Sequence, residues 1–133
     1  MIVADTNLIA YLLLRGDETE TAERVLDQDP LWIAPVLWRS EFRNVLAVYL
    51  GRGLLELEEA LHYFELSQAL LQGREFTVPS EPILRLAEAS KCSAYDCEFV
   101  ALARQKEVPL VTSDRGVLKA FPSTAVHPRE FLV

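Results

Sequence analysis

Hydrophobic positions in this chain alternate between short solid runs and stretches with helical spacing. Residues 1–4 are an apolar run that stops at Asp5, after which Leu8, Ile9, Tyr11, Leu12 and Leu13 recur with a helical period. A strand feeding directly into a helix is the predicted start. A second helix is predicted over 19–26, opened by Asp17 or Thr19. Residues 31–34 make a brief apolar strand, and Pro35 then suits the first turn of a long helix reaching Leu50, with Gly51 and Gly53 as stop signals. A helix over 57–71 closes at Gly73, a strand follows at 76–78, and Ser80 with Pro82 opens a helix through Ala89. The remainder reads as a helix from Ala94 to Lys106, a strand over 108–112, a short helical segment over 113–121, a last strand at 124–126 and a tail from Arg129. Strands alternating with helices predict an α/β domain with a mainly parallel sheet of four or five short strands, covered on both faces.

Composition bounds this picture without changing it. The 133 residues are 50% hydrophobic and 25% charged, with 5 Gly and 7 Pro, the balance of an ordered chain long enough to bury one core. No repeat or linker interrupts it, so residues 1–133 are expected to form a single domain. The run from Leu8 to Leu14 is far shorter than the roughly 18 residues of a membrane span. Asp5 interrupts the apolar start and no basic segment precedes it, unlike a secretory signal. A soluble cytoplasmic protein with no membrane partner is expected. Cys92 and Cys97 are five apart, which on a helix points them away from each other, so free thiols are expected. His62 and His127 lie far from them in sequence, and no zinc site is expected.

Thirteen Lys and Arg against 20 Asp and Glu give a net charge of -7. Taken alone, that argues against a nucleic-acid partner, because sequence-independent affinity for phosphate comes from basic surface. The placement of four acids changes the inference. Asp5 and Asp114 each follow an apolar strand and have hydroxyl neighbours, Thr6 in one case and Thr112 with Ser113 in the other. Read singly, each caps the next helix; read together, they stand where ligands bind in open parallel sheets, outside the carboxyl ends of strands. Glu41 has Val45 and Val48 at i+4 and i+7, which face the core unless Leu37 and Phe42 redefine the stripe. Either it is neutralised by Arg39 or Arg43, or it faces a site together with Asn44, nearly one turn on. Asp96 has Phe99, Val100 and Ala103 on its face, and it also completes a variant capping box with Ser93. Clustered carboxylates repel one another, and a hard divalent cation with oxygen ligands resolves the repulsion.

The segments Ile2-Val3-Ala4-Asp5-Thr6-Asn7, Ser40-Glu41-Phe42-Arg43-Asn44-Val45-Leu46, the run from Ser93 to Ala103 around Asp96, and Leu110-Val111-Thr112-Ser113-Asp114 together resemble the PIN-domain ribonucleases. Within that family they resemble the VapC-type toxins of toxin–antitoxin pairs, and the resemblance covers nearly the whole chain. It implies a three-layer α/β/α sandwich and a Mg²⁺- or Mn²⁺-dependent ribonuclease. Asp5, Glu41, Asp96 and Asp114 match the acidic site residues of the family, with Asp5, Asp96 and Asp114 as metal ligands and Glu41 as a further ligand or water-orienting group. Thr112, or Ser113 beside it, matches a hydroxyl that orients Asp114 or a metal-bound water; Thr6, Asn7 and Asn44 are supporting residues. After Asp114 the chain carries Arg115-Gly116-Val117, where some members have a further acid, and this argues against a second firmly held metal. The resemblance also implies an RNA substrate, a cognate antitoxin and a homodimer.

Ten of the 13 basic residues are Arg, a side chain suited to bidentate phosphate contact. Arg15, Arg39, Arg43 and Arg115 are candidate RNA contacts, or else solvated ion pairs. Trp32 and Trp38 either pack in the core or at an interface, or stack on a base. The apolar positions Leu54, Leu57, Leu61, Phe64 and Leu71 read as core or partner surface. Alternatives to a nuclease are a catalytically inactive PIN-like interaction module, or a phosphoryl-transfer domain with Asp5 as nucleophile. The latter wants a second acid where Asn7 stands and a well-placed Lys; a receiver domain wants an acidic pair near the start. Setting the four acids aside leaves 13 basic against 16 acidic residues, a net -3, so much of the acidity belongs to the expected site.

Overall fold

The computed structural model describes residues 1–133. Each strand is short because a polar residue or a helix start ends its apolar run. β1 (Ile2–Ala4) is fully buried and ends where Asp5 turns the chain into α1 (Thr6–Leu13). There follow α2 (Thr19–Gln28), β2 (Trp32–Pro35), α3 (Trp38–Gly51), α4 (Leu57–Leu70), β3 (Glu75–Phe76) and α5 (Ser80–Ser90). The chain closes with α6 (Ala94–Lys106), β4 (Leu110–Val111), α7 (Arg115–Ala120), β5 (Ala125–Val126) and α8 (Pro128–Phe131).

The strands form one five-stranded sheet in the order β3-β2-β1-β4-β5, and every neighbouring pair is parallel. α6 lies against β1, β2 and β4 with α5 beside it, while α1 packs with α2, α3 and α4 as the other helical layer. This is the expected three-layer α/β/α sandwich. A parallel sheet covered on both faces needs solid apolar strands rather than alternating ones, and β1 and β2 are buried at every position. From β1 the chain builds outward to β2 and β3 on one side, whereas β4 and β5 occupy the other. The order therefore reverses between β1 and β4, and in open α/β sheets that reversal opens a ligand crevice beyond the strands' carboxyl ends.

The core is one cluster of 30 buried hydrophobic residues. Trp32 and Trp38 are fully buried within it, so both tryptophans pack rather than present a stacking face. The Trp38 ring stacks on Phe64 at 5.6 Å, and its indole N–H donates to Glu75 Oε1 at 2.7 Å. The α4 positions divide: Leu71, just beyond it, is buried and Phe64 half-buried, while Leu57 and Leu61 are exposed, as is Leu54 before the helix. Both cysteines are free thiols, Cys97 buried and Cys92 half-buried.

Several boundaries differ from the sequence reading, each for a local reason. Pro35 ends β2 instead of opening α3, which starts at Trp38. Its missing N–H costs nothing there, because β1 pairs with β2 only as far as Ile33. The third strand sits at Glu75–Phe76, held by Ala34 N–H donating to Arg74 O and Val36 N–H to Phe76 O. The predicted strand over 108–112 shortens to Leu110–Val111, although Thr112 N–H still donates to Val126 O at 3.0 Å. Asp17 does not open α2; Thr19 Oγ1 instead accepts from Gly16 N–H at 3.0 Å. The tail contains the single turn α8, where His127 Nδ1 accepts from Arg129 N–H.

Candidate active site

The crevice between β1 and β4 is built around one buried hydroxyl. Asp5 ends β1, with its N–H donating to Val111 O at 3.2 Å, and its side chain opens α1 by accepting from Thr6 N–H at 2.8 Å. The second Asp5 oxygen accepts from the Thr112 hydroxyl at 2.6 Å. Thr112 Oγ1 in turn accepts from Asp114 N–H at 3.1 Å, so a single hydroxyl ties the two strand exits together. Asp114 Oδ1 caps α7 through Val117 N–H at 2.9 Å. The capping reading therefore holds for both acids, and it leaves spare lone pairs on each. Of the two hydroxyl candidates, Thr112 makes the bridge; Ser113 Oγ lies 3.4 Å from the Tyr11 hydroxyl instead.

Glu41 does not sit on a core-facing stripe with Val45 and Val48. The buried stripe of α3 is Trp38, Phe42 and Leu46, because Phe42 sets the phase, and Val48 is exposed. Glu41 is left half-buried at the edge nearest α1. Its partner is neither candidate arginine but the buried Thr6 hydroxyl, which donates to Oε1 at 2.7 Å. Asp96 is the third residue of α6, half-buried, with its N–H donating to Ser93 Oγ at 3.1 Å. Only that half of the capping box forms, so the carboxylate is not spent on closing the helix end.

These four acids from four places in the chain line one cavity of about 610 Å³ with Thr6, Asn7 and Asn44. Leu37, Ser40, Val45 and Tyr95 complete its wall, and no Lys, Arg or His lines it. None of the four candidate arginines lines the cavity wall. Arg39 makes a bidentate pair with Glu75 at 2.6 and 2.8 Å, and Arg15 pairs with Glu23 at 3.0 Å. Arg43 lies beside Ser40 and over the Phe64 ring, and Arg115 is exposed at the start of α7. Arg43 comes nearest, its guanidinium 3.3 Å from the hydroxyl of the wall residue Ser40.

The electrostatics follow from burial and crowding. Burial pushes the Asp5 carboxyl above its usual range; donors from Thr112 and Thr6 partly offset this, and the Asp114 and Asp96 charges push it further. Burial likewise raises Glu41, against the Thr6 hydroxyl, with Asp5, Asp96 and Glu98 adding to the rise. Asp96 is raised by burial and then by Asp114, partly offset by the Ser93 side chain. Three neighbouring acids thus resist ionisation, which a positive charge among them would reverse. The donor set is oxygen-only and suits a hard divalent cation. No three of these side chains are drawn into a closed ligand cluster.

Three of these residues lay outside the sequence reading. Ser40 is four residues before Asn44 and adjoins Glu41, a helical spacing that was there to be used. Tyr95 lies off the buried α6 stripe of Cys97 and Phe99 to Ala103. Glu98, raised by burial, is a fifth acid in the neighbourhood though not part of the cavity wall.

Residues 2–122 match the model of the PIN domain family. The chain belongs to the PIN domain family. Over 125 residues this PIN domain is 29% identical to ribonuclease VapC3 of Pyrobaculum aerophilum, a match spanning 92% of this chain and 95% of the relative. Its fold is that of the crystal structure of PAE2754 from Pyrobaculum aerophilum, with a TM-score of 0.77 at 18% identity over 99% of this chain and 96% of the other. A chain of a toxin–antitoxin complex from Klebsiella pneumoniae has the same fold, with a TM-score of 0.69 at 16% identity over 96% and 98% of the two chains.

Proposed function

We propose that this PIN domain is a metal-dependent ribonuclease that hydrolyses RNA phosphodiester bonds and serves as the toxin of a toxin–antitoxin pair, with residues 1–133 acting as one nuclease unit. The observation that carries the reading is the convergence of Asp5, Glu41, Asp96 and Asp114 on one cavity at the sheet's switch point. The 29% identity to a ribonuclease VapC over nearly the whole chain supports the substrate class.

Asp5, Asp96 and Asp114 would hold Mg²⁺ or Mn²⁺, directly or through water. Such a cation supplies Lewis acidity to a phosphate oxygen and eases deprotonation of water. The protein's own groups do the rest. Thr112 fixes Asp5 and Asp114 relative to each other, and Thr6 holds Glu41 by its Oε1. Glu41, with its pKa raised by burial, accepts the proton of the attacking water, a role that improves as a carboxylate's pKa rises toward the working pH. The new bond joins the water oxygen to phosphorus as the bond to the leaving ribose oxygen breaks, and solvent protonates that oxygen. Asn7 and Asn44, exposed at the cavity wall, can donate amide N–H groups to the phosphate.

Two partners complete the reading. Val48, Leu54, Leu57, Leu61 and Leu66 are each at least 40% exposed around the end of α3 and along α4. Apolar surface of this kind suits a cognate antitoxin or a second copy of the chain. The assembly found for the Klebsiella pneumoniae structure supports the antitoxin. No helix is long and apolar enough to cross a membrane, in keeping with a cytoplasmic site of action. An Asp5 nucleophile is disfavoured because no Lys lines the cavity.

The test uses purified protein and mixed RNA with Mg²⁺ or Mn²⁺, with and without EDTA, beside Asp96→Asn. Cleavage should require the cation and fall at least ~100-fold in the variant, the scale on which losing a charge-stabilising group acts. Cleavage indifferent to both EDTA and the substitution would remove the reading. A folded protein that leaves RNA intact with either metal would favour an inactive interaction module.

A further inference from the structure

The cavity poses a binding problem that its acids do not solve. RNA is a polyanion, and sequence-independent affinity for it ordinarily comes from Lys and Arg, yet none lines this cavity: Arg39 is occupied by Glu75, and Arg43, at the rim, reaches the wall only through the Ser40 hydroxyl. The wall does contain one aromatic side chain, Tyr95. It is 64% exposed and the one aromatic among the chain's large exposed hydrophobics. It occupies the second position of α6, immediately before Asp96, and points away from the stripe that α6 buries. The tyrosine also takes no part in the ring pairs that join Trp38, Phe42, Phe64, His62 and Tyr63. Both tryptophans that could otherwise stack on a base are fully buried.

The geometry points to Tyr95 as a stacking platform for a nucleobase beside the scissile phosphate. This rests on the ribonuclease reading and deepens it. Every base has a π-face, so stacking on an aromatic residue binds single strands with little sequence preference and without a basic groove. The bases of a duplex are stacked on one another and their faces are inaccessible to a side chain, which is why recognition by stacking targets loops, bulges and ends. At the N-terminal turn of α6, the Tyr95 ring and the Asp96 carboxylate sit on adjacent residues, so a base held on the ring brings its own phosphate toward the acids. Tyr95 is thus a positioning and specificity residue, with the chemistry left to the four carboxylates.

The test compares wild type, Tyr95→Ala and Tyr95→Phe, all checked for unchanged melting temperature. Substrates are a fluorescein-labelled single-stranded 12-mer, the same 12-mer in a duplex, and a set of 12-mers each carrying one abasic residue. Cleavage with Mg²⁺ gives kcat and KM, and fluorescence anisotropy with Ca²⁺ gives binding. Tyr95→Ala should lose about 5- to 100-fold in kcat/KM on the single strand, mainly through KM, with Tyr95→Phe within about twofold of wild type. One abasic position should abolish the difference between wild type and Tyr95→Ala, and the duplex should be cleaved poorly by all three. Equal kcat/KM for Tyr95→Ala and wild type on every single strand would overturn the stacking role while leaving the nuclease intact. If wild type binds the 12-mer with Tyr95-dependent affinity but never cleaves it, the stacking role stands and the ribonuclease reading fails. If wild type neither binds nor cleaves RNA, both fail. A Tyr95→Ala protein normal toward RNA but impaired in self-association would reassign the ring to a protein contact.

Discussion

Thr112 shows how much of the candidate site depends on one side chain. It is buried, its hydroxyl donates to Asp5 and accepts from Asp114 N–H, and it is therefore the one side chain that ties both strand exits together, beside the backbone bond from Asp5 N–H to Val111 O. Replacing it with isosteric valine leaves the Asp5 oxygen without its donor and the Asp114 N–H without its acceptor. Such losses cost ~1–3 kcal/mol for each polar group left unpaired. Thr112→Val should lower the melting temperature and raise the Mg²⁺ concentration needed for half-maximal cleavage, while Thr112→Ser, which keeps the hydroxyl, should restore both. Thermal denaturation alongside a Mg²⁺ titration checks this, and a valine variant with an unchanged Mg²⁺ requirement would count against the bridge. At this scale Asp5, Asp96 and Asp114 were legible in the sequence because each stands at a strand exit or a helix start. Glu41 was legible as an acid out of place, but its partner was not. Thr6 lies 35 residues away, and only the packing of α1 against α3 brings its hydroxyl to the carboxylate.

At the scale of elements, α3 and α6 each carry one acid into the cavity and must be held in place. α3 is tied to β3 by the bidentate Arg39–Glu75 pair and by the Trp38 indole on the same carboxylate. Arg39 holds the Glu75 carboxyl below its usual range, so the tie persists through neutral pH. α6 works against its own charge. Asp96 is raised by burial and by Asp114, so without a cation the folded chain binds its proton more tightly than the unfolded chain does. Stability then falls as pH rises from the ordinary Asp range near 4 through the raised value. Asp96→Asn removes that loss. In EDTA the variant should melt above wild type at pH 8, with the gap closing toward pH 4. Mg²⁺ should raise the wild-type melting temperature at pH 8 and leave the variant unmoved. A variant less stable than wild type at both pH values in EDTA would reassign Asp96 to a purely structural role. Element boundaries were less legible than element existence. Pro35 reads locally as a helix opener, and only the short reach of β1 makes it acceptable in a strand.

For the whole molecule, the strand order β3-β2-β1-β4-β5 brings the ends of β1 and β4 together, although 105 residues or more separate the two strands in sequence. Solid apolar runs at 1–4, 31–34 and 108–112 made the layered α/β architecture readable, because only a sheet covered on both faces demands them. The arginines were not readable in the same way. Arg39 and Arg43 flank Glu41 in sequence, yet one is bound to Glu75 and the other lies over Phe64, since a helix points neighbouring residues in different directions. Four of the 20 acidic residues behind the net charge of -7 therefore have one structural location: a set of mutually repelling carboxylates in a cavity that no basic side chain lines. The central proposal is that Asp5, Asp96 and Asp114 form one divalent-cation site with Glu41 beside it. Calorimetric titration of Mn²⁺ into the metal-free protein tests it most directly, using wild type beside the four single acid-to-amide variants. The account predicts saturable binding by wild type, with affinity lost at least tenfold in Asp5→Asn, Asp96→Asn and Asp114→Asn and to a smaller degree in Glu41→Gln. Binding of equal affinity in wild type and all four variants, or no binding by wild type, would contradict it.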